Sequence, residues 1–141
     1  MTVYDDSNIF AKILRGEIPC HKVHEDETTL AFMDVMPQAK GHTLVIPKRP
    51  SRNLLDVAPE DLFAVMRTTQ RIARAVKTAF GASGVLIMQF NEEAAGQTVF
   101  HFHVHVIPRN QGEPLKQHGR QMADPAELAD DARRIRAALE A

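Results

Sequence analysis

The sequence has a single cysteine, a formal net charge of −1 and no apolar run that approaches the roughly 20 residues of a membrane span. One cysteine, Cys20, excludes an internal disulfide and fits a reducing compartment. The balanced charge provides no broad positive field for nucleic acid. The first ten residues, "MTVYDDSNIF", contain no basic segment followed by an apolar stretch, so we expect no secretory signal. These absences predict a cytoplasmic protein that binds neither nucleic acid nor a membrane.

Helical periodicity occurs in three segments of what we expect to be one domain over residues 1–141. A short helix through "NIFAKILR" should follow Ser7 as its cap and end at Gly16. A long helix should begin near Pro59 and end at Gly81, and a terminal helix should follow Asp124. The apolar stripe predicted for the long helix comprises Leu62, Val65, Met66, Thr69, Ile72, Ala73, Val76 and Phe80. We place the core at about 7–110, followed by a C-terminal loop and helix over 111–141.

Five further segments are typical of strands: "HKVHED", "TTLAFMDV", "HTLVIP", "GVLIMQF" and "FHFHVHVIP". The fourth is apolar at every position but one, which predicts burial on both faces. With the helices, they predict an α+β fold built on a five-stranded antiparallel sheet.

Three histidines alternate with apolar residues in "FHFHVHVIP". On a strand, His101, His103 and His105 would share one face, because side chains alternate with a period of two. The opposite face would carry Thr98, Phe100, Phe102, Val104 and Val106 toward the core. Pro108, which has no N–H to donate, should end the strand.

A row of imidazoles has three interpretations. It can bind a metal, it can supply a nucleophile and a proton donor, or it can be a partly exposed strand without chemistry. Three histidines in register on one face favour chemistry over the last interpretation. Gly96, Gln97 and Thr98 come directly before them and offer close backbone approach and neutral donors to an anion such as phosphate. No G-x-x-x-x-G-K-[ST] loop is present, which argues against NTPase chemistry of that type.

The segment "HFHVHVI" resembles the signature of the histidine-triad (HIT) superfamily of nucleotide hydrolases and transferases. The stretches "GHTLVIPK" and "GQTVFH" are similar to other parts of its nucleotide-binding, Hint-like branch and of the bacterial HIT proteins. The resemblance covers about residues 7–110 and is specific, because the three motifs occur in the family's order. It implies a HIT-like fold in which two protomers join their sheets in a homodimer.

The resemblance also implies catalytic roles for four histidines. His103 matches the nucleophile that forms a nucleotidyl-imidazole intermediate. His105 matches the residue that contacts the scissile phosphate and assists the leaving group. His101 matches a support for the nucleophile, and His42 matches a fourth histidine joined to the triad by hydrogen bonds. A purely structural role for His42 is equally open.

The substrate-binding residues are implied in the same way. Gly96, Gln97, Thr98 and Asn91 match contacts to phosphate or ribose, and Thr98 stands where many members have serine. Asp34 matches a carboxylate that accepts both ribose hydroxyls, a role suited to an acceptor-only group. The residues that match the apolar purine slot are Phe10, Ile13, Ile18, Phe32 and Val35, of which Phe10, Ile13 and Phe32 equally suit a plain core.

One departure concerns metal. Many bacterial members have a C-x-x-C zinc pair where this chain has Asn8 and Ala11, and Pro50 replaces a further expected histidine ligand. Since a closed zinc site needs four ligands, we predict a protein without metal or other cofactor.

The predicted function is hydrolysis of purine nucleoside 5′-phosphoramidates through a nucleotidyl-histidine intermediate, with AMP, GMP or their adducts as ligands. The alternatives are a dinucleoside polyphosphate hydrolase and a purine-nucleotide-binding interaction protein whose catalysis is incidental.

Overall fold

A five-stranded antiparallel sheet organises the structure, a computed structural model that describes residues 3–116 and 121–141. The strands are β1 (Lys22–Glu25), β2 (Thr29–Met33), β3 (Thr43–Pro47), β4 (Gly84–Met88) and β5 (Val104–Arg109), in the spatial order β1-β2-β3-β5-β4. The helices are α1 (Ile9–Leu14), α2 (Pro59–Ala79) and α3 (Pro125–Glu140), with a short 3₁₀ turn at Glu93–Ala95. The predicted α+β class and sheet are confirmed.

One face of the sheet is covered by α2 and α3. Apolar side chains that alternate along β2, β3 and β5 meet the buried stripes of the two helices in a single cluster. It includes Ala31, Met33, Val45, Val104, Val106, Val65, Ile72, Val76, Leu128, Ala132 and Ile135. Within α2, the prediction for Met66 is wrong, because its side chain is 44% exposed. No helix among the described residues has the length and apolar character needed to cross a membrane.

The opposite face is covered only in part, by α1. Phe10 of this helix packs with Leu30, Phe32, Leu44 and Ile46 in a second, smaller cluster. Asn8 caps the helix, accepting from the Ala11 N–H at 2.9 Å, whereas Ser7, the predicted cap, bonds to Asp5. The end at Gly16 is confirmed by the bond from its N–H to the Ile13 carbonyl at 3.0 Å.

Strand β4 lies at the edge of the sheet and pairs only with β5. The predicted burial on both faces is wrong for the single chain, since all five residues are half-buried or exposed and Ile87 is 42% exposed. An apolar strand at an open edge therefore requires a separate explanation.

Strand β5 is shorter than the histidine segment. It begins at Val104, so His101 and His103 precede it and Thr98 to Phe100 do not form the predicted core-facing row. It also continues through Pro108 to Arg109, whereas the sequence predicts an end at the proline. Pro108 pairs with Val85 of β4 only, because β3 begins at Thr43 and provides no partner opposite the missing N–H.

Candidate active site

The ring of His103 lies on the partly covered face, 93% buried. Its Nδ1 is 2.7 Å from the carbonyl oxygen of His101. A carbonyl only accepts, so Nδ1 carries the proton and the lone pair of the neutral ring is on Nε2. The edge of the ring meets Phe10, with centroids 4.9 Å apart. His103 is therefore held in the tautomer of a nucleophile.

His42 and His105 are joined by a hydrogen bond, and both rings have their proton on Nε2, whereas His103 has its proton on Nδ1. The Gln38 N–H donates to His42 Nδ1 at 3.0 Å, which places the proton of that ring on Nε2. His42 Nε2 then donates to His105 Nδ1 at 2.9 Å, so the proton of His105 is on its own Nε2. The ring centroids of His105 and His103 are 5.0 Å apart. A ring with its proton on Nε2 thus stands beside His103, the predicted nucleophile, and His42 is hydrogen-bonded to the triad.

Gly41 determines the turn that leads to His42. Its φ is +92°, and a Cβ at this position would lie 2.6 Å from Cε2 of Phe80. Any other residue would combine left-handed strain with a clash against the end of α2. The glycine therefore allows His42 to enter β3 with its ring on the catalytic face.

Asp34 is 95% buried immediately after β2. Its Oδ1 accepts from the Met36 N–H at 2.8 Å, and its Oδ2 is 3.4 Å from His42 Nε2. The carboxylate predicted to bind ribose therefore also lies against the histidine pair, where it would stabilise positive charge.

His101 is fully buried, and both of its ring nitrogens are bonded to groups outside the triad. Its Nε2 is 2.8 Å from the Pro47 carbonyl oxygen, and its Nδ1 is 2.6 Å from the Tyr4 hydroxyl. Burial lowers the pKa of His101 to about 4, which keeps the ring neutral near pH 7. Its contact with His103 runs through its backbone carbonyl, so the geometry is that of a support.

The loop before the triad is fixed by Gln97. Its Oε1 accepts from the Glu92 N–H and from Asn53, while its Nε2 donates to the Arg52 and Val99 carbonyls, all at 2.8–3.1 Å. Its own N–H donates to the Glu92 carbonyl at 3.1 Å. A contact from Gln97 to phosphate would have to break one of these bonds. The side chain instead holds its neighbours in place.

Glu92 has a backbone conformation that is rare outside glycine, with φ 75° and ψ 159°. Its carboxylate is held by two bonds from Arg52, at 2.8 and 2.9 Å, and by Asn53 at 2.6 Å. The Arg52 bonds also lower the pKa of Glu92. These contacts compensate the backbone strain and anchor the loop that carries the predicted phosphate ligands.

The other predicted phosphate ligands remain at the surface of this loop. Thr98 is exposed, and Gly96 is also exposed with φ +100°. Asn91 is half-buried; its Oδ1 accepts from the Leu54 N–H and from Gln89, and its Nδ2 donates to Gln89 Oε1 at 2.9 Å. Thr98 and Gly96 therefore have the surface access that an anion ligand needs, whereas Asn91 would have to share its amide with Gln89.

The predicted purine slot is brought together only in part. Phe10 and Phe32 meet edge to face with centroids 5.4 Å apart, and Ile13 packs against the same cluster. Ile18 is half-buried, and Val35 is 36% exposed. Phe10 touches both Phe32 and His103, so an apolar surface leads directly to the nucleophile.

The positions expected for zinc ligands in relatives have other functions here. Asn8 caps α1, Ala11 is a buried residue of that helix, and Pro50 is exposed. Among residues 3–116 and 121–141, one group has ligand atoms close enough for a metal: Asp34, His42 and His105, whose atoms lie within 4.8 Å of one another. The hydrogen bond between the two rings already joins two of those atoms.

Sequence reasoning did not identify Tyr4, Arg52, Asn53 or Glu92. Their contacts join positions 39 to 97 residues apart, so no local spacing indicates them. Tyr4 also precedes the segment on which the resemblance rests. The one available signal is the cluster of polar residues in "PKRPSRN" and "NEE" on either side of buried segments.

Comparisons with known proteins find relatives of this chain in sequence and in fold. The family model described as "HIT domain" matches residues 15–112. The crystal structure of a Hit-like protein involved in cell-cycle regulation from Bartonella henselae is 53% identical, with a TM-score of 0.94 over 97% of this chain and 99% of that one. A hypothetical histidine triad nucleotide-binding protein from Sulfolobus tokodaii is 30% identical, with a TM-score of 0.85 over 93% of this chain and 91% of that one. The Arabidopsis thaliana adenylylsulfatase HINT3 is 37% identical over 76% of this chain and 54% of its own length.

Proposed function

This chain belongs to the HIT-domain family, and from that premise we propose that it hydrolyses purine nucleoside 5′-phosphoramidates through a nucleotidyl intermediate on His103. The observation that carries the proposal is the opposite tautomers of two adjacent rings. His103 has its proton on Nδ1, bonded to a carbonyl, and His105 has its proton on Nε2, because its Nδ1 accepts from His42. One ring offers a lone pair where the other offers a proton.

In the first step, His103 Nε2 attacks the α-phosphorus and the bond from phosphorus to the leaving nitrogen breaks. In the complex with the anionic substrate the His42–His105 pair carries one extra proton; the leaving nitrogen takes the proton of His105 Nε2 and departs as an amine, which leaves the pair neutral. In the second step, water attacks phosphorus, the bond to His103 breaks, and AMP or GMP is released. The proton of the attacking water returns to His105. Asp34, whose Oδ2 is 3.4 Å from His42 Nε2, stabilises the positive charge of the protonated pair, and the bond between His42 and His105 shares that charge.

The class of substrate follows from the leaving group. An amine leaves poorly unless it is protonated, whereas a polyphosphate oxygen is a weaker base and needs less assistance. A second nucleotide would need cations or aromatic rings beyond the triad. Arg109, the first cation after it, turns its guanidinium to the Glu113 carbonyl. A small amine adduct of AMP therefore suits the site better than a dinucleoside polyphosphate.

Turnover of a matched set of substrates tests the proposal. Adenosine 5′-monophosphoramidate should have a higher kcat/KM than diadenosine tetraphosphate, and the guanosine analogue should be tolerated. Adenylyl sulfate belongs in the set because the Arabidopsis relative is an adenylylsulfatase. If diadenosine tetraphosphate is better by tenfold or more, the polyphosphate alternative replaces this proposal. AMP binding without any turnover would favour the interaction protein.

A homodimer is part of the same proposal. Ile87 on the open edge of β4 and Phe63 and Met66 on α2 are 42%, 63% and 44% exposed respectively. A second copy would extend the sheet across β4 and cover these residues. Light scattering at micromolar concentration should give twice the monomer mass, and Ile87→Lys should give a monomer.

We place the protein in the cytoplasm on the evidence of its single cysteine.

A further inference from the structure

The peptide segment that carries the nucleophile is held by individual backbone and side-chain contacts and not by strand pairing. His101 and His103 precede β5, which begins at Val104, so ladder hydrogen bonds do not fix them. The Phe102 N–H donates to the Ser51 carbonyl at 2.9 Å. The side chain of Phe102 is buried in the apolar core, and the ring of His101 is a further anchor, bonded through both nitrogens. The direction of the His101 carbonyl, and hence of the His103 ring, depends on that anchor.

The hydrogen bonds around His101 have one direction. Since the Pro47 carbonyl accepts from Nε2, Nδ1 must accept, and the Tyr4 hydroxyl is its donor. The hydroxyl oxygen in turn accepts from Asn8 Nδ2 at 2.9 Å. Donors therefore run from Asn8 to Tyr4, to His101 and to Pro47, and such head-to-tail chains strengthen each bond.

Asn8 links this chain of bonds to the apolar side of the site. Its Oδ1 caps α1, and that helix carries Phe10, whose ring contacts His103. The same side chain thus sets the position of the helix against the nucleophile and the donor for Tyr4. Tyr4 and Asn8 both lie outside residues 15–112, the segment that the HIT family model matches.

We propose that Tyr4 and Asn8 are positioning residues for the nucleophile. They hold the His101 ring, and through the His101 carbonyl they hold His103 in the tautomer and orientation required for attack. The kinetic part of this proposal rests on the proposed function. The structural part concerns the substrate-free protein and is independent of it.

Tyr4→Phe removes the hydroxyl and keeps the ring, which meets His101 edge to face. We expect kcat for the phosphoramidate to fall roughly tenfold with KM nearly unchanged, because small misplacements of a nucleophile slow the step without weakening binding. Ser7→Ala is the matched control, since the Ser7 hydroxyl bonds to Asp5 in the same exposed segment. An equal fall in kcat for Ser7→Ala would overturn the proposal.

Asn8→Asp tests the direction of the hydrogen bonds. An aspartate still caps α1 through one oxygen, but it accepts where the amide donated, so the Tyr4 hydroxyl should turn to it and leave His101. The loss of kcat should match that of Tyr4→Phe, and the double variant should be no worse than either. The chain has one tyrosine and no tryptophan, so an ultraviolet titration reports Tyr4 alone, and the pKa of Tyr4 should rise in Asn8→Asp. An unchanged tyrosine pKa contradicts this direction.

The readout that is independent of turnover is the ¹⁵N spectrum of the histidine rings. The wild-type protein should show His101 protonated on Nε2 and His103 on Nδ1, and Tyr4→Phe should move His103 toward mixed tautomers. If wild type hydrolyses none of the substrates, the proposed function fails while this spectrum still tests positioning. His103 signals that are unchanged in both variants overturn the proposal, whatever the value of kcat.

Discussion

The two faces of the sheet differ in the chemistry of the side chains that they bury. The face under α2 and α3 is lined by an apolar cluster, with Val45, Ile72 and Ile135 fully buried. The other face buries histidines and Asp34 beside the second, smaller cluster, which contains Phe10 and Phe32. Buried polar groups cost free energy unless each is hydrogen-bonded, and here each ring has a defined partner. One face therefore supplies apolar burial, and the other holds the hydrogen-bonded side chains to which we assign the chemistry.

Removal of the nucleophile should give the largest effect. His103→Ala should lower kcat/KM for the phosphoramidate about a thousandfold, because the covalent step is lost. The variant should still bind AMP, since Asp34 and the smaller cluster around Phe10 and Phe32 remain. His21→Ala, at a half-buried histidine outside the site, is the control. A His103→Ala protein with a rate near wild type would refute the mechanism.

Truncation of a side chain on the face under α2 and α3 should lower the stability of the protein and leave its turnover unchanged. Ile72→Ala should lower the free energy of unfolding by about 3 kcal/mol through the cavity it leaves, and Ile72→Val by about 1 kcal/mol. Denaturant unfolding measures both. The kcat per folded molecule should be unchanged at temperatures where the variants are native. A tenfold loss of kcat would show that the two faces are not independent.

Acidification should destabilise the protein through the catalytic face. The pKa of His101 is about 4 in the folded protein against an ordinary value of 6.5, so the unfolded chain binds the extra proton between these values. The contribution of neutral His101 to the free energy of unfolding is complete above pH 6.5 and is lost as the pH falls toward 4. The loss is at most about 3 kcal/mol. Unfolding of His101→Gln should depend less steeply on pH in this window. Gln70→Ala, an exposed position of α2 without a titratable side chain, should retain the wild-type slope.

Substitution of Asp34 tests whether substrate binding and catalysis depend on different groups of the face that buries the histidines. Asp34→Asn keeps an oxygen for the Met36 N–H but is a weaker acceptor for ribose. We expect KM to rise about tenfold with a smaller change in kcat. A substrate that lacks the 2′ and 3′ hydroxyls should show the same increase with wild type and no further increase with the variant. An equal fall in kcat on both substrates would assign Asp34 to the histidine pair instead.

The smallest expected effect is that of a chelator. Asn8, Ala11 and Pro50 occupy the positions at which the family resemblance leads us to expect zinc ligands, so activity should not change when metal is removed. Elemental analysis of protein purified without a polyhistidine tag is the accompanying measurement. Stoichiometric zinc together with lost activity would show that the reactive face depends on metal.

Local signals explain what can be predicted from the sequence. The predicted start of α3 agrees with the structure because Asp124 as cap, Pro125 at the first position and Glu127 lie within one turn. The predicted cap of α1 is wrong by one residue because Ser7 and Asn8 are both good caps. The histidines can be identified because the family resemblance lies within a short motif.

The errors concern features that depend on partners distant in sequence. Where β5 starts is decided by β3, which pairs with it only from Val104 to Val106. The exposure of β4 depends on its place at the edge of the sheet, which its apolar composition does not reveal. The anchor of His101 comes from Tyr4, 97 residues earlier in the chain. None of these partners can be identified from spacing along one segment.

The open edge of β4 also has a consequence for handling the protein. Gly84–Met88 contains no charge and no proline, the two features by which natural sheets prevent edge-to-edge aggregation. Any chain whose edge is uncovered, during synthesis or after dilution, presents a template for intermolecular β-structure. Loss of activity on storage should then follow the concentration of uncovered chains, and conditions that strengthen the proposed pairing should slow that loss.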